Sequence, residues 1–132
     1  MDESPQAIAE RLRLELEGSC VFSYLFGSLF TERFNDESDI DLAIYEQDGQ
    51  EQGYLFWLKK LGPCTDHSLD LIILNSTDPI ITMQILSKGR LLSCHDQNFL
   101  NLFKARKISE YIDFKKNRQG IEQQLMSGAI YD

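Results

Sequence analysis

Ser38-Asp39-Ile40-Asp41-Leu42-Ala43-Ile44-Tyr45 places two acids two residues apart in an otherwise apolar run. The run predicts a β-strand from Asp39 to Tyr45, and successive strand side chains point to opposite faces. Asp39 and Asp41 then share one face, about 7 Å apart along the backbone, while Ile40, Leu42 and Ile44 are buried on the other. Carboxylates held in low dielectric must be paired, hydrogen-bonded or metal-bound. Arg33 is the only cation between Gly27 and Lys59, so a divalent metal is the simplest compensation, and all-oxygen sites favour magnesium or manganese.

Immediately upstream, Val21 to Phe26 reads as a buried strand ended by Gly27-Ser28. A glycine lets the chain turn sharply and approach a ligand closely. The next segment, Leu29 to Phe34, is expected to be a short helix whose first amides and positive dipole end, with the Ser28 hydroxyl, face phosphate oxygens. The whole pattern is G-S-x10-D-x-D. Strand, Gly-Ser, helix and acid-bearing strand together make a coherent nucleoside triphosphate site. A further strand, Leu69 to Leu74, brings a third acid, Asp70, into the sheet near its start.

The remaining elements alternate. Ser4 and Pro5 cap and open a helix whose apolar side is Ile8, Ala9, Leu12 and Leu16. Tyr54, Trp57, Leu58 and Leu61 fall at helical spacing before Gly62-Pro63. Asp78-Pro79 start a helix running through Ser87, Gly89 closes it, Arg90 to Cys94 is a short edge strand, and a helix spans about Phe99 to Gln124. This order predicts an α/β (α+β) fold, a small mixed β-sheet with flanking helices and a long C-terminal helix. A chain of 132 residues, 42% hydrophobic, has material for one domain, residues 1–132, with the helix at about 97–125 as a partner-docking element.

Composition narrows the function classes. The net charge of −8 opposes contact with phosphate backbones, so nucleic acid is not the expected partner. Residues 104–132 reverse the sign locally, with 6 Lys/Arg against 4 Asp/Glu. No apolar run approaches the roughly 18 residues of a membrane span, and Met1-Asp2-Glu3 lacks the basic start of a signal peptide, so a cytoplasmic protein is expected. Cys20, Cys64 and Cys94 are odd in number and widely spaced, which suggests neither a disulfide framework nor a zinc site.

Gly27-Ser28, Asp39-Ile40-Asp41 and the later Asp70 resemble the nucleotidyltransferase fold of the DNA polymerase β superfamily. With little chain beyond that core, the sequence is most similar to the minimal nucleotidyltransferases that act as antitoxins to HEPN-domain toxins. Arg90-Leu91-Leu92 followed by Phe103-Lys104-Ala105-Arg106 extends the likeness. The resemblance implies transfer of AMP from ATP to a tyrosine hydroxyl of a toxin that is an RNase, silencing it. It further implies two magnesium ions, with manganese as a substitute, held by Asp39, Asp41 and Asp70, and Asp70 as general base. Gly27 and Ser28 would grip the β and γ phosphates, assisted by Arg33.

Singly, each feature has a plainer reading. A lone D-x-D is as well an exposed pair of edge-strand acids, Gly-Ser a mere turn, and His67 and His95 ordinary surface or capping residues. Two other functions fit the same residues. One is an antitoxin that acts by binding alone and keeps a relic nucleotide site; the other is a nucleotidyltransferase for a small-molecule hydroxyl such as an aminoglycoside, against which the missing second domain argues.

Overall fold

Among the described residues, four strands, β1 (Phe22–Phe26), β2 (Ile40–Tyr45), β3 (Leu69–Ile73) and β4 (Arg90–Cys94), form one mixed sheet in the order β3-β2-β1-β4. The computed structural model describes the backbone of residues 1–127 and the side chains of residues 1–118. β1 runs antiparallel to both β2 and β4, whereas β2 and β3 are parallel. A parallel pair needs a crossover, which α2 (Tyr54–Leu61) supplies. The other helices are α1 (Pro5–Leu16), α3 (Pro79–Lys88) and α4 (Gln97–Ser127).

Helix starts follow their capping residues. The Ser4 hydroxyl accepts the Ala7 amide at 3.3 Å with Pro5 in the first turn, and Asp78 accepts the Ile81 amide at 2.9 Å ahead of Pro79. In α1 the four-residue spacing of Ile8, Leu12 and Leu16 makes one fully buried stripe. That stripe, with Trp57 and Leu61 of α2, covers the sheet face of Leu25, Ile40, Leu42 and Ile44. The opposite face, Phe22, Tyr24, Ala43 and Tyr45, lies under Ile85 of α3 and Leu100 and Phe103 of α4. Phe22 packs its ring 5.2 Å from those of both Tyr45 and Phe103. Burying each such large side chain contributes roughly 1.5 to 3 kcal/mol. The central strands β1 and β2 are therefore apolar on both faces except at Asp41 and at Ser23, which is buried with its hydroxyl hydrogen-bonded to that of Ser93.

Glu46, at the end of β2, ties the core to the crossover. Buried at 3% exposure, its Oε1 accepts from the amides of Gln52 (2.8 Å) and Gly53 (3.0 Å) and from Trp57 Nε1 (2.6 Å). Asn75 meets its backbone, accepting from the Glu46 N–H and donating to the Glu46 carbonyl. Nothing in the local pattern around Glu46 marks it as buried.

The expected helix from Leu29 to Phe34 does not form. The segment folds as successive turns: the Thr31 amide and hydroxyl both donate to the Ser28 carbonyl, at 2.9 and 2.8 Å, and the Phe34 amide donates to the Thr31 carbonyl at 3.3 Å. Six residues are too few to nucleate a helix unaided, and the Thr31 side chain claims a carbonyl that a helix would have used. The anchor of the segment is Leu29, buried at 2% exposure. Strand β2 begins at Ile40 rather than Asp39, and β1 at Phe22 rather than Val21. The last helix is longer than expected at both ends, with Asp96 accepting the Phe99 amide at 3.0 Å. Arg90 to Cys94 is indeed an edge strand.

Candidate active site

Strand order assembles the site at one end of the sheet. β1 ends at Phe26 opposite Asp41 of β2, and Asp41 lies beside Asp70 of β3 in the parallel register. The two acids occupy equivalent positions on adjacent strands, on the face shared with Ala43 and Tyr45. Asp41 is half-buried, while Asp70 and Asp39 are exposed. Asp39 lies on the approach to β2, one residue outside the ladder.

Gly27 follows β1 with φ +77°, a conformation that L side chains rarely adopt. A Cβ built there would lie 2.8 Å from Asp41 Cγ and closer still to Oδ2. Gly27 is therefore the residue that leaves room for the Asp41 carboxylate, and Ser28 follows it half-buried in the turn.

Electrostatics single out Asp41. Its pKa is pushed up to about 6, first by burial, then by the charge of Asp70 and a hydrogen bond between the two carboxyls, and least by Asp39. The tightest coupling is thus between strands, Asp41 with Asp70, rather than within the D-x-D pair. Among the described residues no three His, Cys, Asp or Glu side chains are drawn into a ready-made metal cage. The donor chemistry nonetheless suits magnesium, which takes one or two carboxylates and completes its shell with phosphate and water. Carboxylates crowded enough to raise a pKa carry an electrostatic deficit that a divalent cation relieves.

Arg33 is brought to no carboxylate among the described residues; it is exposed on the second turn, with its amide on Thr31 Oγ1. The cations that do stand near Gly27 come from elsewhere in the chain. Lys88, the last residue of α3, and Arg90, the first of β4, line a cleft of about 200 Å³ with Gly27, Phe30 and Thr31. The pairing of β4 with β1 brings Arg90 opposite Leu25. Only that long-range pairing reveals them; the local signal is the short strand that Arg90 opens. His67 also gains a role: its Nδ1 lies 2.7 Å from the Ser38 carbonyl and its ring packs, tilted, against Phe34 at 4.8 Å between centroids, bracing the segment that enters Asp39.

A mixed sheet with a glycine turn against two strand acids defines a nucleotidyl-transferring class of fold, and the chain belongs to the polymerase β nucleotidyltransferase family, whose model matches residues 11–98. Members of that family act on nucleotides. Among solved structures, the chain is similar to a toxin–antitoxin crystallised with AMP-PNP, at 28% identity and a TM-score of 0.70, covering 92% of this chain and 98% of that one. It is also similar to a chain of the MntA–HepT toxin–antitoxin, at 25% identity and a TM-score of 0.68, with the same coverage. A third resemblance is to a complex of tri-AMPylated Shewanella oneidensis HEPN toxin with MNT antitoxin, at 27% identity and a TM-score of 0.65, covering 93% and 96% of the two chains. No curated protein is significantly similar in sequence. Among the described residues no helix is long and apolar enough to cross a membrane.

Proposed function

We propose that residues 1–132 act as one nucleotidyltransferase domain, an antitoxin that moves AMP from ATP to a tyrosine hydroxyl of a HEPN toxin and so silences it. The observation that carries this reading is the contact of Gly27 with Asp41 beside Asp70, in a chain whose structural relatives include an antitoxin bound to an AMPylated toxin.

In the reaction the phenolic oxygen of the acceptor attacks the α-phosphorus of ATP. The bond from that phosphorus to the bridging oxygen of the β-phosphate breaks, and pyrophosphate leaves with the electron pair. Asp70, exposed beside Asp41, accepts the phenolic proton. Asp41, whose pKa is pushed up to about 6 by burial and then by Asp70, would share with Asp39 the task of holding magnesium, and Asp70 would contribute to a second ion. Bound magnesium would neutralise the phosphates and lower the pKa of the acceptor hydroxyl. Gly27 and Ser28 offer backbone amides and a hydroxyl to the phosphates, without the helix dipole expected from the sequence, since turns occupy that segment. Arg33, exposed on the turns that follow Ser28, would assist as a further cation for the phosphates.

Helix α4 supplies a surface for the toxin. Leu102, Ile108, Ile112 and Phe114 are exposed, between 42% and 72%, on a helix that continues past its buried anchors Leu100 and Phe103. Ile121 and Leu125, apolar residues further along the sequence, lie outside the described side chains.

The test is mass spectrometry of a purified HEPN partner incubated with the protein, ATP and magnesium. An added adenylyl group on a tyrosine is the expected result. An unmodified toxin that is nevertheless inhibited would replace the transfer by simple binding.

A further inference from the structure

We propose that Lys88 and Arg90 form an anion-binding cleft that takes the terminal phosphates of the nucleotide and then the pyrophosphate released. This rests on the transferase reading and names a subsite that the Gly-Ser and Asp-x-Asp motifs do not contain.

Four observations converge. The cleft, about 200 Å³, opens beside Gly27, the same residue that touches Asp41, so one ligand can meet the acids and the cations across that glycine. In a chain of net charge −8, both cations lack a carboxylate partner among the described residues. Arg11, Arg13 and Lys107, by contrast, are paired with glutamates, and Lys60 donates to Ser19. The Arg90 guanidinium lies 4.3 Å from the Phe30 ring centroid, which orders its plane and leaves its N–H edge for a phosphate fork.

The backbone fixes the pair in place. Gly89, between them, donates to the Ile85 carbonyl at 2.7 Å, and a Cβ there would come within 3.1 Å of the Leu25 carbonyl. The end of α3 and the start of β4 are therefore pressed onto the last turn of β1, where the phosphate loop begins. Two positive charges at the leaving-group end oppose the charge that develops on pyrophosphate, as positioned cations do in other phosphoryl transfers.

The experiment is isothermal titration calorimetry of the full chain with ATP plus magnesium, inorganic tripolyphosphate plus magnesium, and AMP. Wild type is compared with Arg90→Gln, Lys88→Gln and the double variant, with thermal melts confirming that these exposed residues leave the fold intact. The double variant should lose tenfold or more in affinity for ATP and tripolyphosphate while AMP binding stays within twofold. Unchanged ATP and tripolyphosphate affinities, or an equal loss for AMP, overturn the cleft and leave the transferase reading untouched. Wild type that binds tripolyphosphate through these residues but not ATP removes the transferase reading and keeps the anion site; wild type that binds neither removes both.

Discussion

A Cβ on Gly27 would sit 2.8 Å from the Cγ of Asp41, so any side chain on the residue that follows β1 would claim the space of the carboxylate on the second residue of β2. The contact joins the two halves of the motif, ten residues of connecting turns apart, into one site. It also explains why glycine stands there twice over, since φ is +77° as well.

Gly27→Ala should therefore displace the Asp41 carboxylate and strain the backbone together. We expect a stability loss of about 1 to 3 kcal/mol and a fall in transfer activity of tenfold or more. Denaturant melts and an adenylyl-transfer assay measure the two, and wild-type activity in the alanine variant would show that the contact does not position Asp41.

Asp41 should make the ligand-free protein less stable at neutral pH. Folding raises its pKa from 3.8 to about 6, so the folded state holds this proton more tightly than the unfolded chain. The penalty is absent below about pH 4, grows as the pH rises through that window and is complete above about pH 6. Nominally it is ~3 kcal/mol, and solvent screening of a half-buried group reduces it to about 1 kcal/mol. Asp41→Asn should be the more stable protein at pH 7.5 and lose that advantage near pH 4, by thermal melts at both. Magnesium with ATP should raise the melting temperature of wild type and not of Asp41→Asn, and equal shifts would sever Asp41 from the nucleotide.

Asp70→Asn separates binding from chemistry. Affinity for ATP with magnesium should stay within a few-fold of wild type, while transfer falls by the roughly 10² to 10⁴ that loss of a general base brings, and by more if a metal is lost with it. Partner binding should persist. Normal modification of the toxin by this variant would exclude Asp70 from proton transfer.

Glu46→Ala tests the core lock. Removing the carboxylate strands three donors, Trp57 Nε1 and the amides of Gln52 and Gly53, and should cost about 2 to 4 kcal/mol. Urea unfolding followed by Trp57 fluorescence reports it directly, and a loss below about 0.5 kcal/mol would mean that water replaces the carboxylate at no penalty.

Leu102→Asp and Ile112→Asp place charges on the exposed side of α4 without touching Leu100 or Phe103. Co-purification with the toxin should weaken at least tenfold while ATP affinity is unchanged. Truncation after Lys116 should act in the same direction. Retained association in all three would move the docking surface off this helix.

Local chemistry in the sequence determined a great deal here. Ser4, Pro5, Asp78 and Pro79 signal their helix starts, the alternation through Ile40, Leu42 and Ile44 marks the face of β2 that packs against α1 and α2, and Gly27-Ser28 with Asp39-x-Asp41 marks the site, because caps, periodicity and turn glycines act over a few residues. The turns between Leu29 and Phe34 escaped that reading because a short apolar segment is shaped by where Leu29 must be buried and by one threonine hydroxyl. What only the tertiary structure decided is what meets what across strands. The order β3-β2-β1-β4 couples Asp41 to Asp70, brings Arg90 and Lys88 to Gly27, and buries Glu46 against Trp57. Pairing between distant segments follows from closing the whole sheet around two cores, and no window of the sequence contains both partners of such a contact.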